Sequence, residues 1–331
     1  MVKQARRLAL AIAVALLVGS GIAAAQQQPT SVNPTASSVK EEQLLQQLQT
    51  VQGRITITDA KAAVLIQPGG RDWRDMQQVS LRWIGAIAIL GMLGVLILFY
   101  MARGTIPISA QRSGRRVLRF GNFERFTHWL TAGCFIVLAV TGVNVTFGKA
   151  LLMPLIGADA FAGWSQWAKY AHNYLAFPFM LGLILTFFMW VLDNIPTKLD
   201  VDWFRAGGGL VGKGHPPARK FNGGQKLIFW SVILGGVALS VTGLLLIFPF
   251  AGTTIADMQL AQIVHGIVAV VLVAVMLAHI YIGTIGMEGA FDAMSSGEVD
   301  ENWAREHHVL WLEEERTKAP AGGQRAAGPA E

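Results

Sequence analysis

Gln262-Ile-Val-His265-Gly-Ile-Val-Ala-Val-Val-Leu-Val-Ala-Val-Met-Leu-Ala-His279-Ile-Tyr-Ile-Gly-Thr-Ile-Gly286 is the stretch on which the fold turns. It is long enough to cross a bilayer and holds no acid, lysine or arginine. It does hold two histidines, 14 residues apart. At about 100° per residue, 14 steps stop roughly 40° short of four full turns, so both imidazoles share one helix face. At 1.5 Å rise they lie about 21 Å apart along the axis, one toward each side of the hydrocarbon core. An ionisable side chain inside a membrane helix is costly, which makes it a functional candidate whose partner must be found.

The whole chain shares this character. Of its 331 residues 53% are hydrophobic and only 15% charged, a membrane composition. The net charge of +6 comes from basic residues clustered beside apolar runs. That pattern indicates topology and contact with anionic lipid, and not nucleic acid. The single cysteine, Cys134, lies in an apolar run and reads as a small packing residue. One cysteine allows no intramolecular disulfide, no covalent c-type haem motif and no resident all-cysteine iron–sulfur cluster.

Working outward, residues 1–25 read as a secretory signal: Lys3, Arg6 and Arg7, an apolar core from Leu8 to Ile22, then three alanines before Gln26. Residues 26–78 form a polar arm, with helical periodicity from Lys40 to Gln52, a short strand from Gly53 to Asp59 and a turn at Pro68-Gly69-Gly70. Residues 79–102 are a first span without histidine, an extra anchor helix. A basic loop (103–125) follows. Residues 126–287 hold four further spans, expected at 126–147, 167–192, 227–250 and 262–286, and 288–331 form a charged tail. Residues 148–168 are expected as a loop, and Pro178 is a candidate kink in the third span. The fold class expected is an all-α integral membrane protein: a four-helix bundle plus one extra N-terminal transmembrane helix.

Two independent signals agree on orientation. The 103–125 and 198–226 loops carry six Lys and Arg each, whereas the loops on the other side carry two (Lys149, Lys169) and none. The positive-inside rule puts the basic loops in the cytoplasm. A cleaved signal leaves the arm outside, and five spans then return the tail to the cytoplasm.

On that topology four of the seven histidines pair by depth. His172 and His265 lie toward the outer face; His128 and His279 lie toward the cytoplasm. Facing imidazoles in a helical bundle suit axial ligation of haem iron, so two non-covalent haems are expected, one per pair. Zinc would call for a tighter ligand cluster with cysteines or carboxylates. A transporter usually brings acids or lysines into its spans, which these spans almost lack. His215, His307 and His308 fall in polar segments and carry no expected role.

Several segments are similar to one family. They are Arg125-Phe-Thr-His128-Trp129, Asp193-Asn-Ile-Pro196, Lys220-Phe-Asn222-Gly-Gly-Gln225-Lys-Leu-Ile-Phe-Trp230, His279-Ile-Tyr281 and Gly297-Glu-Val-Asp-Glu-Asn-Trp303-Ala-Arg-Glu-His307-His308. Over residues 118–315 they resemble the γ, cytochrome b subunit of membrane-bound respiratory formate dehydrogenases. That subunit belongs to a wider di-haem cytochrome b family shared with hydrogenase and thiosulfate reductase. The shorter family members lack residues 1–117. The resemblance implies an outer haem b on His172 and His265 and an inner haem b on His128 and His279. It implies electron supply by an iron–sulfur β subunit, formate oxidation on a molybdenum- or tungsten-pterin α subunit, and quinone as the electron acceptor. It places the quinone near His279 and the Asn222-Gly223-Gly224-Gln225 turn, with Asn222, Gly224 and Gln225 as contacts. Read without the family, that turn is an ordinary helix cap on Asn222. The implied setting is the bacterial inner membrane. Two other readings stand beside this one: the cytochrome b subunit of a membrane-bound hydrogenase or related oxidoreductase, and a haem-free membrane anchor whose histidines merely pack.

Overall fold

The computed structural model describes residues 70–209, 216–249 and 251–318. The expected signal, the arm up to residue 69, Lys213, His215 and the terminus from residue 319 lie outside the described residues. Five helices in the described part are long and apolar enough to cross a membrane. They are built on α1 (Leu81–Arg103), α2 (Asn122–Val143), α3 (Ala158–Trp190), α5 (Gly223–Ile247) and α6 (Ile255–Tyr281); the short α4 (Lys198–Arg205) lies between α3 and α5. The chain belongs to the all-helical class expected.

The spans run past the ends set by apolarity. α2 starts at Asn122, four residues before the expected Phe126, and α3 starts at Ala158 inside the expected 148–168 loop. Helical hydrogen bonding does not stop where hydrocarbon stops. Polar residues such as Ser165, Gln166 and Lys169 continue the helix into the interfacial zone. α3 also remains continuous through Pro178. At the other end of the first span, Gly70–Asp75 is helical and leads through a π-turn (Met76–Ser80) into α1.

The helices pack in the order α2, α3, α5, α6, α1, while α2 and α6 meet only slightly. Small residues set the close crossings. A Cβ on Gly182 of α3 would collide with Thr131 of α2, and one on Gly266 of α6 would collide with Leu81 of α1. The first span is therefore seated against the histidine-bearing helix. The outward faces carry exposed Ile87, Leu90, Val140, Leu181, Phe188 and Leu234, as lipid contact requires. Cys134 is buried, in line with its expected packing role.

A compact cap closes the end where α1 and α6 finish and α2 begins. β1 (Arg116–Leu118) pairs antiparallel with β2 (Glu298–Asp300), placing Val117 opposite Val299. Ile106 bridges Met287, and Arg112 reaches Glu288 and Asp292, each at 3.1 Å. The Asp300 carboxylate accepts from the backbone N–H of Ser113, Gly114 and Asn302. Burial pushes its pKa up, but these bonds and the Ser113 hydroxyl outweigh it and hold the carboxyl below its ordinary value. Two tail helices, α7 (Glu301–His307) and α8 (Val309–Lys318), complete the cap. Phe120, Val299, Trp303, Ala304, Trp311 and Leu312 form its buried core. Hydrophobic burial from water operates here, whereas lipid is as apolar as the faces of the spans.

Candidate functional site: two imidazole pairs in the bundle

The four expected histidines come together in the expected pairs. His172 of α3 faces His265 of α6 with ring centroids 6.2 Å apart and planes inclined at 62°. His128 of α2 faces His279 of α6 at 6.4 Å and 59°. The second pair lies toward the cap, because Arg125 and Trp129 of α2 donate to the carbonyls of Ser295 and Met294. The first pair lies toward the opposite end. The helical phase of α6 therefore serves both pairs from one face.

The separation has chemical content. Two metal–imidazole bonds of about 2 Å, plus about 1 Å from each ring nitrogen to its centroid, put the centroids roughly 6 Å apart. The environment of the other nitrogen is defined in the pair farther from the cap. His172 Nδ1 lies 2.8 Å from the Thr141 hydroxyl, and His265 Nδ1 lies 2.9 Å from the Thr242 hydroxyl. In the cap-side pair, His128 Nδ1 is buried without a hydrogen-bond partner.

The Asn222–Gln225 turn is a helix cap. Asn222 accepts from the Gln225 N–H at 2.9 Å, and Gln225 Oε1 accepts from the Asn222 N–H at 3.1 Å. The two glycines admit α4: a Cβ on Gly224 would press on the Trp203 ring, and one on Gly223 would crowd Trp203, Phe204 and the Asp200 carbonyl. Lys226 Nζ then pins α4 through Asp200 at 2.9 Å and the Ile195 carbonyl at 3.0 Å. The cap uses the carboxamide oxygens and leaves the two side-chain NH2 groups as donors. An apolar groove of about 370 Å³ lies along α5 and α6, lined by Leu227, Trp230 and Leu234 of the one and Ile267, Leu272 and Val275 of the other.

Two features escaped the sequence reading. The first is a repeated Val-Thr-Gly: Val140-Thr141-Gly142 on α2 and Val241-Thr242-Gly243 on α5. Each threonine meets a histidine of the next span, and a Cβ on the glycine after it would stand in ordinary contact with that ring, 3.6 Å from His172 Cε1 and 3.4 Å from His265 Cε1. The repeat itself was the available signal. The second is His308, expected to have no role, which is only 1% exposed and anchors the cap.

A bundle of membrane helices with facing histidines defines a membrane cytochrome b, and comparison with known proteins agrees. Residues 119–297 match the prokaryotic cytochrome b561 family, and the chain belongs to it. It is 30% identical over 204 residues to the formate dehydrogenase cytochrome b556(fdo) subunit of Escherichia coli K12, covering 60% of this chain and 93% of that protein. It is 27% identical over 206 residues to the cytochrome b556(Fdn) subunit of the nitrate-inducible formate dehydrogenase of the same strain, covering 60% and 92%. Against the formate dehydrogenase cytochrome b556 subunit of Haemophilus influenzae it is 29% identical over 209 residues, covering 60% and 84%. The family implies haem b, and the donor set present, neutral imidazoles at metal-spanning separation, fits that group.

Proposed function

We propose that this chain is the di-haem cytochrome b subunit of a respiratory formate dehydrogenase complex. The observation that carries the proposal is the two facing imidazole pairs, each at the separation of a metal bound from both sides. His172 and His265 hold the haem on the side away from the cap; His128 and His279 hold the haem on the cap side. Bound there, haem supplies an iron that takes and gives single electrons at low reorganisation. The spans keep water from both pairs, and α6 fixes the distance between them. The similarity to formate dehydrogenase cytochrome b556 subunits supports an iron–sulfur β subunit as donor and a molybdenum- or tungsten-pterin α subunit as the site of formate oxidation.

Quinone is the acceptor in this reading. Asn222 and Gln225 NH2 groups and the Gly224 N–H in the first turn of α5 are donors for a quinone carbonyl near His279. The groove along α5 and α6 matches an apolar isoprenoid tail. The charge asymmetry of the loops supports a cytoplasmic cap in a bacterial inner membrane, and in this reading the protons for the quinone come from that side. The test is anaerobic addition of formate to membranes holding the complete complex. Formate should reduce the b-type absorption and added quinone should reoxidise it. Reduction by hydrogen but not by formate would assign the chain to a hydrogenase instead.

A further inference from the structure

The two imidazole pairs differ in what stands behind them. Thr141 Oγ1 lies 2.8 Å from Val137 O and 3.0 Å from Leu138 O of its own helix, and Thr242 Oγ1 lies 2.7 Å from Ala238 O. A helical threonine donates its one proton to such a carbonyl. Its oxygen lone pairs are then left to accept, and the group 2.8–2.9 Å away is the imidazole Nδ1 of His172 or His265. The chain of bonds therefore runs from Nδ1–H to threonine oxygen to backbone carbonyl. Each bond polarises the next, which makes the threonine oxygen a better acceptor than an isolated hydroxyl. This network assigns the proton to Nδ1 and leaves Nε2 bare on both rings. In the cap-side pair His128 has no such support: its Nδ1 is buried without a partner.

We propose that Thr141 and Thr242 are positioning residues that hold His172 and His265 as Nε2 donors and lower the reduction potential of the haem between them relative to the haem on His128 and His279. The inference rests on the di-haem reading above. The cause is electrostatic. An Nδ1–H that donates to a good acceptor makes Nε2 a stronger base, and a stronger base favours the oxidised metal. Removing the acceptor moves that preference the other way. The asymmetry gives the electron path a direction, because electrons delivered at the threonine-backed haem pass downhill to the cap-side haem and on toward quinone.

The experiment is a potentiometric titration of the purified complex, with haem counted per chain, for the wild type, Thr141→Val, Thr242→Val and Thr242→Ser. Valine keeps the shape and removes the hydroxyl; serine keeps the hydroxyl. Both valine variants should shift one midpoint upward and leave the other in place, and serine should restore the wild-type value. Loss of one haem in the Thr242→Val variant together with its retention in the serine variant would also support the hydroxyl's role. Two unmoved midpoints in the valine variants would overturn the inference, as would equal disturbance by serine and valine. A wild type without two haems would instead overturn the di-haem reading beneath it, so the two failures are distinguishable.

Discussion

Arg119 donates to the Nε2 of His308 across 3.0 Å inside the cap, and His308 Nδ1 donates to the Arg219 carbonyl at 2.7 Å. Arg119 also donates to the Lys220 carbonyl and lies against the rings of Phe120, Trp303 and Trp311. One buried pair thus joins the strand leading into α2, the loop before α5 and the C-terminal helices. Burial pushes the Arg119 guanidinium down to about 9, opposed by Glu124. Burial, and after it the neighbouring Arg119 charge, holds His308 well below its ordinary pKa.

A pH dependence follows from that pair. In the unfolded chain His308 takes up a proton near pH 6.5, while the folded cap holds it neutral. The unfolded state therefore binds more protons below that value, and stability falls as pH drops below about 6.5. The protection factors of residues 300–312, taken relative to the intrinsic exchange rate at each pH, should fall between pH 7.5 and pH 5.5. The His308→Gln variant, which can still accept and donate, should show a flatter profile.

The histidine pairs predict selective losses. His265→Ala should remove the haem it shares with His172 and leave the haem on His128 and His279, halving haem per chain. His128→Ala should do the reciprocal. Haem content with spectra of the two variants checks this. Full content in the His265→Ala variant would break the pairing.

The turn before α5 carries both the helix cap and the proposed quinone donors. Asn222→Ala should cost about 1 kcal/mol through loss of the cap. Gln225→Ala should slow quinone reduction on the order of tenfold, the worth of one good hydrogen bond. Both haems should remain in each variant. Quinone kinetics with haem content as the control decide the point, and an unchanged rate in the Gln225→Ala variant would remove that side chain from the site.

Lys226 and Asp200 are both largely buried, and Asp200 also accepts from the Thr197 N–H at 2.6 Å. Lys226→Met would leave that carboxylate unpaired, at a cost of about 3–5 kcal/mol. Exchange should rise across Lys198–Arg205, where α4 is docked, while the histidine pairs keep their haem. Unchanged protection of α4 would show that its packing on Trp203 suffices.

Much of this architecture is legible without coordinates, for a physical reason. The bilayer forces each span to be a long apolar helix, so helical phase and depth alone put His265 and His279 on one face and predict their partners on α2 and α3. Where a span ends is less legible, because Asn122 or Ala158 begins a helix in the interfacial zone, where apolarity no longer marks it. The cap is less legible again. His308 sits in a charged tail, and its burial depends on Arg119, 189 residues away in sequence. The Val-Thr-Gly repeat is visible in the chain, yet its meaning needs the neighbouring helix: a threonine in a span reads first as a small packing residue.

The most direct measurement is a dithionite-reduced minus oxidised spectrum of the purified protein, with haem quantified per chain. Two b-type haems per chain are the expected result, one for each imidazole pair. A properly matured sample with no haem, or with one haem that survives loss of either pair, would contradict the assignment of two bis-histidine centres.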